Sequence, residues 1–266
     1  VCTWGEERGG LPGGAEEVLS LAGPLAKSVG SDLVWLTLGA QAAGVAETAA
    51  RYGVAALHQI DDAKLADVPA DIAVEALAQY CTAQTPRIVL FNQMAATRTI
   101  APRLAARIES AVVMGVTEIS AEGDALDITA SAYGGDTRAV YRVEGAGTPI
   151  AAVWANALTA ECPEAGSSPA AEAIAIDLSS ANERITIVEP AKAEGPKLED
   201  AEIIVSGGRG LGAVENYKLI RDLAEALGGM AGASRPLVDE GWVDSNHQVG
   251  LTGKITKPNL YVAVGI

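Results

Sequence analysis

A guanidinium, hydroxyls, an amide and close-spaced glycines gather in one stretch of this chain. It runs Ser234-Arg235-Pro236, Asp239-Glu240-Gly241-Trp242, then Gln248-Val249-Gly250-Leu251-Thr252-Gly253-Lys254. The stretch lies between two apolar runs, the place where an open parallel sheet binds its ligand. Upstream, Ser206-Gly207-Gly208-Arg209-Gly210-Leu211-Gly212-Ala213 joins a strand-like run to a helix-like one, and Gly208, Gly210 and Ala213 have the spacing of a dinucleotide-binding turn. Glycines there admit positive φ and let helix N-terminal amides approach a phosphate. An NAD site also wants an acidic residue at the end of the next strand, and here that strand ends Ser234-Arg235. A basic residue at that point suits an NADP 2′-phosphate, or a cation beside a flavin ring or its pyrophosphate; the residues alone leave both readings open. Arg209 and Arg235 each directly follow a strand at the same sheet edge, which favours a cofactor role over surface ion pairing.

Other reactive residue types read as structural. His247, between Asn246 and Gln248, is expected to be a solvated loop residue, and His58, at the end of a strand, a structural one. Trp242 beside Gly241 is expected to pack under its own loop, Asp239 and Asp244 to anchor the loop by hydrogen bonds, and Lys254 to answer either a carboxylate or a phosphate. No metal-ligand set and no nucleophile with an adjacent base are seen.

The elements that must position these groups form an α/β pattern. Apolar β-rich runs at Leu33–Leu38, Ala55–Ile60 and Arg87–Phe91 alternate with helical patterns near 15–29, 41–52, 70–84 and 98–109, as in parallel crossover units. Val112–Ser120, Leu126–Ala132, Thr137–Val143 and Ile150–Trp154 follow as strands separated by glycine turns and predict an antiparallel edge on a mostly parallel, Rossmann-like sheet. Pro, Gly and Ser dominate between about 160 and 200, which rules out a regular core strand there, although Ile185–Val188 is strand-like. These features give an N-terminal α/β domain over 1–190, a linker over 191–200 and a C-terminal doubly wound domain over 201–266. In the last, Ala201–Ser206, Met230–Ser234 and Leu260–Ile266 are predicted strands and Val214–Leu227 a helix. So few elements cannot cover a doubly wound sheet on both faces, so a remainder is expected beyond Ile266 or from another chain. The start, Val1-Cys2-Thr3-Trp4, lacks Met and is too short for a strand, which suggests a chain beginning a few residues late.

Composition narrows the class. The 266 residues are 49% hydrophobic but only 4% aromatic, so the core is built of Ala, Val, Leu and Ile. The net charge of −15, spread along the chain, argues against nucleic-acid or anionic-membrane binding. No apolar run of about 18 residues occurs, so the chain is not expected to insert in a membrane. Three cysteines, Cys2, Cys81 and Cys162, lie far apart and suggest neither a zinc site nor a disulfide framework, which fits a reducing compartment.

Taken in order, Val205 to Gly212, Ser234-Arg235-Pro236, Asp239, Gly241-Trp242, Gln248 to Lys254, Pro258 and Leu260-Tyr261-Val262-Ala263-Val264-Gly265-Ile266 resemble the FAD-binding domain of the electron transfer flavoprotein alpha subunit. Arg98, Ala101-Pro102-Arg103-Leu104-Ala105-Ala106-Arg107 and Tyr133-Gly134-Gly135 extend the likeness more weakly into the first domain. The resemblance implies an FAD-carrying electron-transfer protein, rather than an enzyme with its own substrate, paired with a beta subunit. Such a protein takes electrons from dehydrogenases, such as acyl-CoA dehydrogenases of fatty acid beta-oxidation, and passes them to a membrane quinone reductase. Some members instead bifurcate electrons from NADH. It implies the cytoplasm of a bacterium or the mitochondrial matrix of a eukaryote. The alternative is an NADP-binding oxidoreductase or transhydrogenase-like subunit, which has no need of the Gln248–Lys254 loop at this spacing.

Carried onto this chain, the resemblance implies that Gly208, Arg209 and Gly210 meet FAD at the first turn and that Arg235 sits near the isoalloxazine. Ser234 and Thr252 offer hydroxyls, Thr252 near flavin N5, while Gln248, Val249, Gly250 and Leu251 line the ring. Gly265 and Ile266 lead to a phosphate-binding turn. A guanidinium beside the ring stabilises an anionic flavin in a low-dielectric site. Two departures stand out: Leu251 occupies a place where many members carry Gln, and Gly265-Ile266 lies where the family continues into a Ser-Gly turn and a His facing the flavin.

Overall fold

Strand-helix alternation in the first part of the chain builds one large sheet whose central parallel strands are covered on both faces. A computed structural model describes all residues except 5–10, 12–13, 41, 155–157, 162–168, 186–196 and 251. Cys162, Leu251 and most of the strand-like run at 185–188 therefore lie outside the described residues. The chain divides into two compact units, Val1–Ile187 and Val188–Ile266.

The first unit runs β1 (Cys2–Trp4), α1 (Ala15–Ser28), β2 (Val34–Leu38), α2 (Val45–Arg51), β3 (Ala56–Ile60), α3 (Ala70–Gln84), β4 (Val89–Asn92) and α4 (Thr97–Arg107). Then come β5 (Val112–Glu122), β6 (Ala125–Ala132), β7 (Thr137–Val143), β8 (Ile150–Val153) and β9 (Ala171–Ala173). The strands lie in the order β7-β6-β5-β8-β4-β1-β2-β3-β9. Every neighbouring pair is parallel except β5–β6 and β6–β7.

Helices on both faces explain why β2, β4 and β8 are buried almost without a break rather than in alternation. One core holds Val18 and Leu19 of α1, Val45 and Ala49 of α2, Trp35 and Leu90. The other holds Ile72 and Leu77 of α3, Ile100 and Leu104 of α4, Leu36 and Phe91. The indole N–H of Trp35 donates to Thr3 Oγ1 at 2.9 Å, so the large ring is buried without leaving a donor unmatched.

Three expectations need correction here. The opening residues do form a strand: β1 is short, but β2 and β4 pair with it on either side, and this two-sided pairing outweighs its length. Ile150–Val153 is not part of an antiparallel edge; it enters between β4 and β5, parallel to both, and is fully buried. His58 does not end its strand but sits mid-β3, buried, with Nδ1 2.7 Å from the hydroxyl of Tyr80. The short β9, an exposed addition beside β3, carries no sequence signal beyond its fit to that edge.

The second unit is a three-stranded parallel sheet in the order β11-β10-β12, with β10 (Ile203–Gly207) central, β11 (Met230–Ala233) and β12 (Leu260–Val264). Helix α5 (Tyr217–Ala226) buries Tyr217, Ile220 and Ala224, one helical face, against Val205 and Ala233. The predicted helix over Val214–Leu227 is thus shorter, because Val214–Asn216 is a 3₁₀ turn. Among the described residues no helix is long and apolar enough to cross a membrane.

Candidate functional site at the carboxyl edge of the second sheet

The register of β10, β11 and β12 brings the three strand ends level, with Gly207 opposite both Ala233 and Val264. The residues that follow each strand are therefore delivered to one edge. After β10 come Gly208, Arg209 and Gly210; after β11, Ser234 and Arg235; after β12, Gly265 and Ile266. Backbone bonds tie these ends together: Gly208 N donates to Val264 O at 3.0 Å, Gly210 N to Gly265 O at 2.8 Å and Ser234 N to Gly207 O at 2.9 Å.

Crowding requires glycine at three of these positions: Gly265, at φ 66°, would set a Cβ 2.8 Å from the carbonyl carbon of Gly210, and the other two face it. A Cβ on Gly208 collides with the carbonyl of Gly265, and one on Gly210 comes within 2.8 Å of Gly265 Cα. The glycine pattern therefore lets the turn after β10 lie directly against the end of β12.

Beyond Ser234, the stretch read as a loop holds a one-turn helix, α6 (Arg235–Asp239), with Pro236 at a position where a missing N–H has no cost. Its end closes through Glu240 N to Pro236 O at 3.0 Å, Gly241 N to Val238 O at 2.9 Å and Trp242 N to Leu237 O at 2.8 Å. Trp242 packs against the core of this unit, as its Gly241 neighbour suggested. Asp244 accepts from Asn246 N at 2.9 Å and anchors the turn, in line with its expected role.

The Gln248–Lys254 segment closes on itself. Val249 N donates to Ala233 O at 2.9 Å, which docks the segment beside β11. Lys254 N donates to Gln248 O at 2.7 Å and Gly250 N to Lys254 O at 3.1 Å. Within it, Gln248 Nε2 donates to Thr252 Oγ1 at 2.9 Å, and the Gln248 side chain is buried while Thr252 is exposed. Lys254 answers a carboxylate, Glu199, at 2.7 Å.

Both arginines are exposed and hold internal acid partners: Arg209 with Glu240 at 2.5 Å and Arg235 with Asp239 at 3.2 Å. Glu240 was not singled out in the sequence, although the acidic doublet Asp239-Glu240 one helical turn after Arg235 is a visible signal. His247 corrects the expectation of a solvated ring: it is half-buried, and its Nδ1 is buried with no hydrogen-bond partner. Ser206 Oγ, also buried and without a partner, was likewise not singled out. Leu251 lies outside the described residues. Among the described residues no group of His, Cys, Asp or Glu is placed to hold a metal ion.

This edge offers two guanidinium groups, two hydroxyls and an amide around exposed backbone at the ends of parallel strands. That donor set fits a cofactor with an anionic pyrophosphate and a flat ring rich in hydrogen-bond acceptors.

Comparison with known proteins agrees in both units. Residues 4–179 match the model of the electron transfer flavoprotein domain, and residues 197–266 that of the electron transfer flavoprotein FAD-binding domain. The chain is 29% identical over 270 residues to electron transfer flavoprotein subunit alpha of Thermoanaerobacterium thermosaccharolyticum, covering 100% of this chain and 82% of that one. It is 30% identical over 236 residues to the Bacillus subtilis subunit alpha, covering 88% and 72% respectively. For the Megasphaera elsdenii subunit alpha the identity is 30% over 258 residues, covering 94% and 76%.

Proposed function

The chain belongs to the electron transfer flavoprotein family as an FAD-binding alpha subunit, and from that premise we propose that it works beside a beta subunit, holding its FAD at the carboxyl edge of β10, β11 and β12. The single observation that carries this placement is the convergence of Arg209, Ser234, Arg235, Gln248 and Thr252 on one edge through a shared strand register. The NADP alternative is not carried further, because the matching model for 197–266 is an FAD-binding one.

In this reading FAD supplies transfer of one or two electrons, and the chain supplies binding, orientation and electrostatics. Gly208, Arg209 and Gly210 meet the cofactor at the first turn, with Gly265 and Ile266 continuing toward its phosphates. Arg235 brings positive charge to the ring, which favours negative charge gathering there on reduction. Thr252 is held by Gln248 as acceptor, so its own hydroxyl proton remains free to donate toward the ring. Ser234, Val249, Gly250 and Leu251 complete the lining. Donors are dehydrogenases, such as acyl-CoA dehydrogenases, and the acceptor is a quinone reductase; bifurcation from NADH is the other family mode. The proposed setting is the cytoplasm of a bacterium, or the mitochondrial matrix in a eukaryote.

The test is an absorption spectrum of the purified alpha–beta complex, followed by its reduction with an acyl-CoA dehydrogenase and substrate or with NADH. Flavin bands bleached by the dehydrogenase support the reading. A complex without flavin bands overturns it, and bleaching by NADH in place of the dehydrogenase assigns NADH as the donor.

A further inference from the structure

Arg209 and Glu240 belong to different strand ends, 31 residues apart in sequence, yet their side chains meet in an ion pair. The backbone at both ends of the pair is fixed. On one side Gly210 N donates to Gly265 O, Leu211 N to Gly208 O and Gly212 N to Arg209 O, so the turn that carries Arg209 is locked. On the other, Glu240 ends α6 through the bond to Pro236 O, and Gly241 follows with φ of 73°, the left-handed conformation that closes a helix end. Trp242 and Leu237 then seat this end on the core.

Stability does not account for the pair. Its arginine side chain is 68% exposed, and exposed pairs contribute little to folding. What a carboxylate at the end of α6 does accomplish is orientation. A free arginine side chain samples many rotamers, and each must be given up when a ligand binds. A charge-assisted bond to Glu240 uses one of the guanidinium's five N–H donors and leaves four for a ligand. Asp239, the preceding residue, holds Arg235 in the same manner, so consecutive carboxylates engage both site arginines.

We propose that Glu240 is a positioning residue of the FAD site, holding the Arg209 guanidinium between the ends of β10 and β11 before the cofactor arrives. The inference rests on the assignment of Arg209 to that site. It makes Glu240 a determinant of FAD affinity that does not itself touch FAD.

The experiment is a fluorescence titration of FAD into the flavin-free alpha–beta complex, with the melting temperature of each flavin-free variant measured in parallel. Glu240→Ala is expected to raise the Kd about tenfold, the effect of about 1.4 kcal/mol. Glu240→Gln, whose amide oxygen accepts the same bond, is expected to stay within about twofold of the parent. Melting temperatures of both are expected to change little, since the pair is exposed. Arg209→Ala is expected to weaken binding at least as much as Glu240→Ala. Parent-like or tighter binding by Glu240→Ala overturns the proposal while leaving the site intact. So does a Glu240→Gln variant as weak as Glu240→Ala, which points to charge and not orientation. An unchanged Kd in Arg209→Ala removes that residue from the site and overturns the underlying reading as well.

Discussion

Gln248 and Thr252 face each other across a closed seven-residue loop, the buried amide donating to the exposed hydroxyl at 2.9 Å. The geometry fixes which way the hydroxyl acts. With its oxygen accepting from Gln248, its proton is left free to donate to another group. Thr252→Val keeps the shape and deletes the donor. A net hydrogen bond contributes about 1 kcal/mol, so FAD affinity is expected to fall roughly fivefold to tenfold. Thr252→Ser restores the donor and is expected to bind like the parent. Fluorescence titration compares the three, and equal affinities would place the hydroxyl outside the site.

Arg235 lies at the start of α6, with Asp239 as its partner at 3.2 Å. Replacing it with alanine removes the cation proposed to lie nearest the ring. Reduction gathers negative charge, so the reduced form loses more than the oxidised form and the flavin potential drops. A loss of about 1.4 kcal/mol corresponds to roughly 30 mV in a two-electron couple. Potentiometry of Arg235→Ala and the parent complex checks the sign; an unchanged or higher potential moves the arginine away from the ring.

Gly208 is hemmed in by the backbone of Gly265, and a methyl group there has no space. Since the obstacle is main chain, neither side can give way cheaply. Gly208→Ala is expected to destabilise the second unit by about 1–3 kcal/mol and to loosen the β10–β12 ladder. Hydrogen exchange should show faster loss at Ile204, Ser206 and Val262, whose amides face the β10–β12 ladder. Full protection at those amides would show that the turn adapts.

The first unit has its own pH signature. Burial raises the Cys81 thiol from its usual 9.0 to about 11, the Tyr80 phenol from 10.0 to about 12, and the Cys2 thiol further still. Each group binds its proton more tightly when folded, so its contribution is complete below the unfolded value. It is lost as pH rises toward the folded one. Denaturation midpoints are therefore expected to fall as pH rises between about 9 and 12. Chemical denaturation at three or four pH values tests this, and a midpoint rising with pH across that interval contradicts it.

Periodicity made most elements readable, and where it failed the cause was physical. Strand β1 has too few residues to show any period, and only its partners on both sides identify it. Strand β8 follows the β5–β7 meander in sequence and so reads as a further antiparallel strand, although its apolar Ile-Ala-Ala-Val run is that of a strand buried on both faces. Pro236 and Gly241 look like turn markers; here they open and close a helix of five residues. The residues of the candidate site were legible for a different reason. Glycine spacing, the Ser234-Arg235 strand end and the Gln248–Lys254 motif are local, and local signals survive without knowledge of packing. The ion pair between Arg209 and Glu240 and the buried faces of Ser206 and His247 depend on partners distant in sequence.

The position of β8 also sets an order of events for the growing chain. Among the described residues, the antiparallel wing of β5, β6 and β7 joins the parallel half of its sheet through β8 alone. A ribosome-bound chain that has emerged as far as residue 149 contains the β5–β6–β7 meander and the β1-β2-β3 crossovers, but the strand that links β4 to β5 consists of four later residues. Completing the sheet requires Ile150–Val153 between β4 and β5, a non-local pairing of the kind that is entropically slow. Until then the edges of β4 and β5 stand open to pairing with other chains.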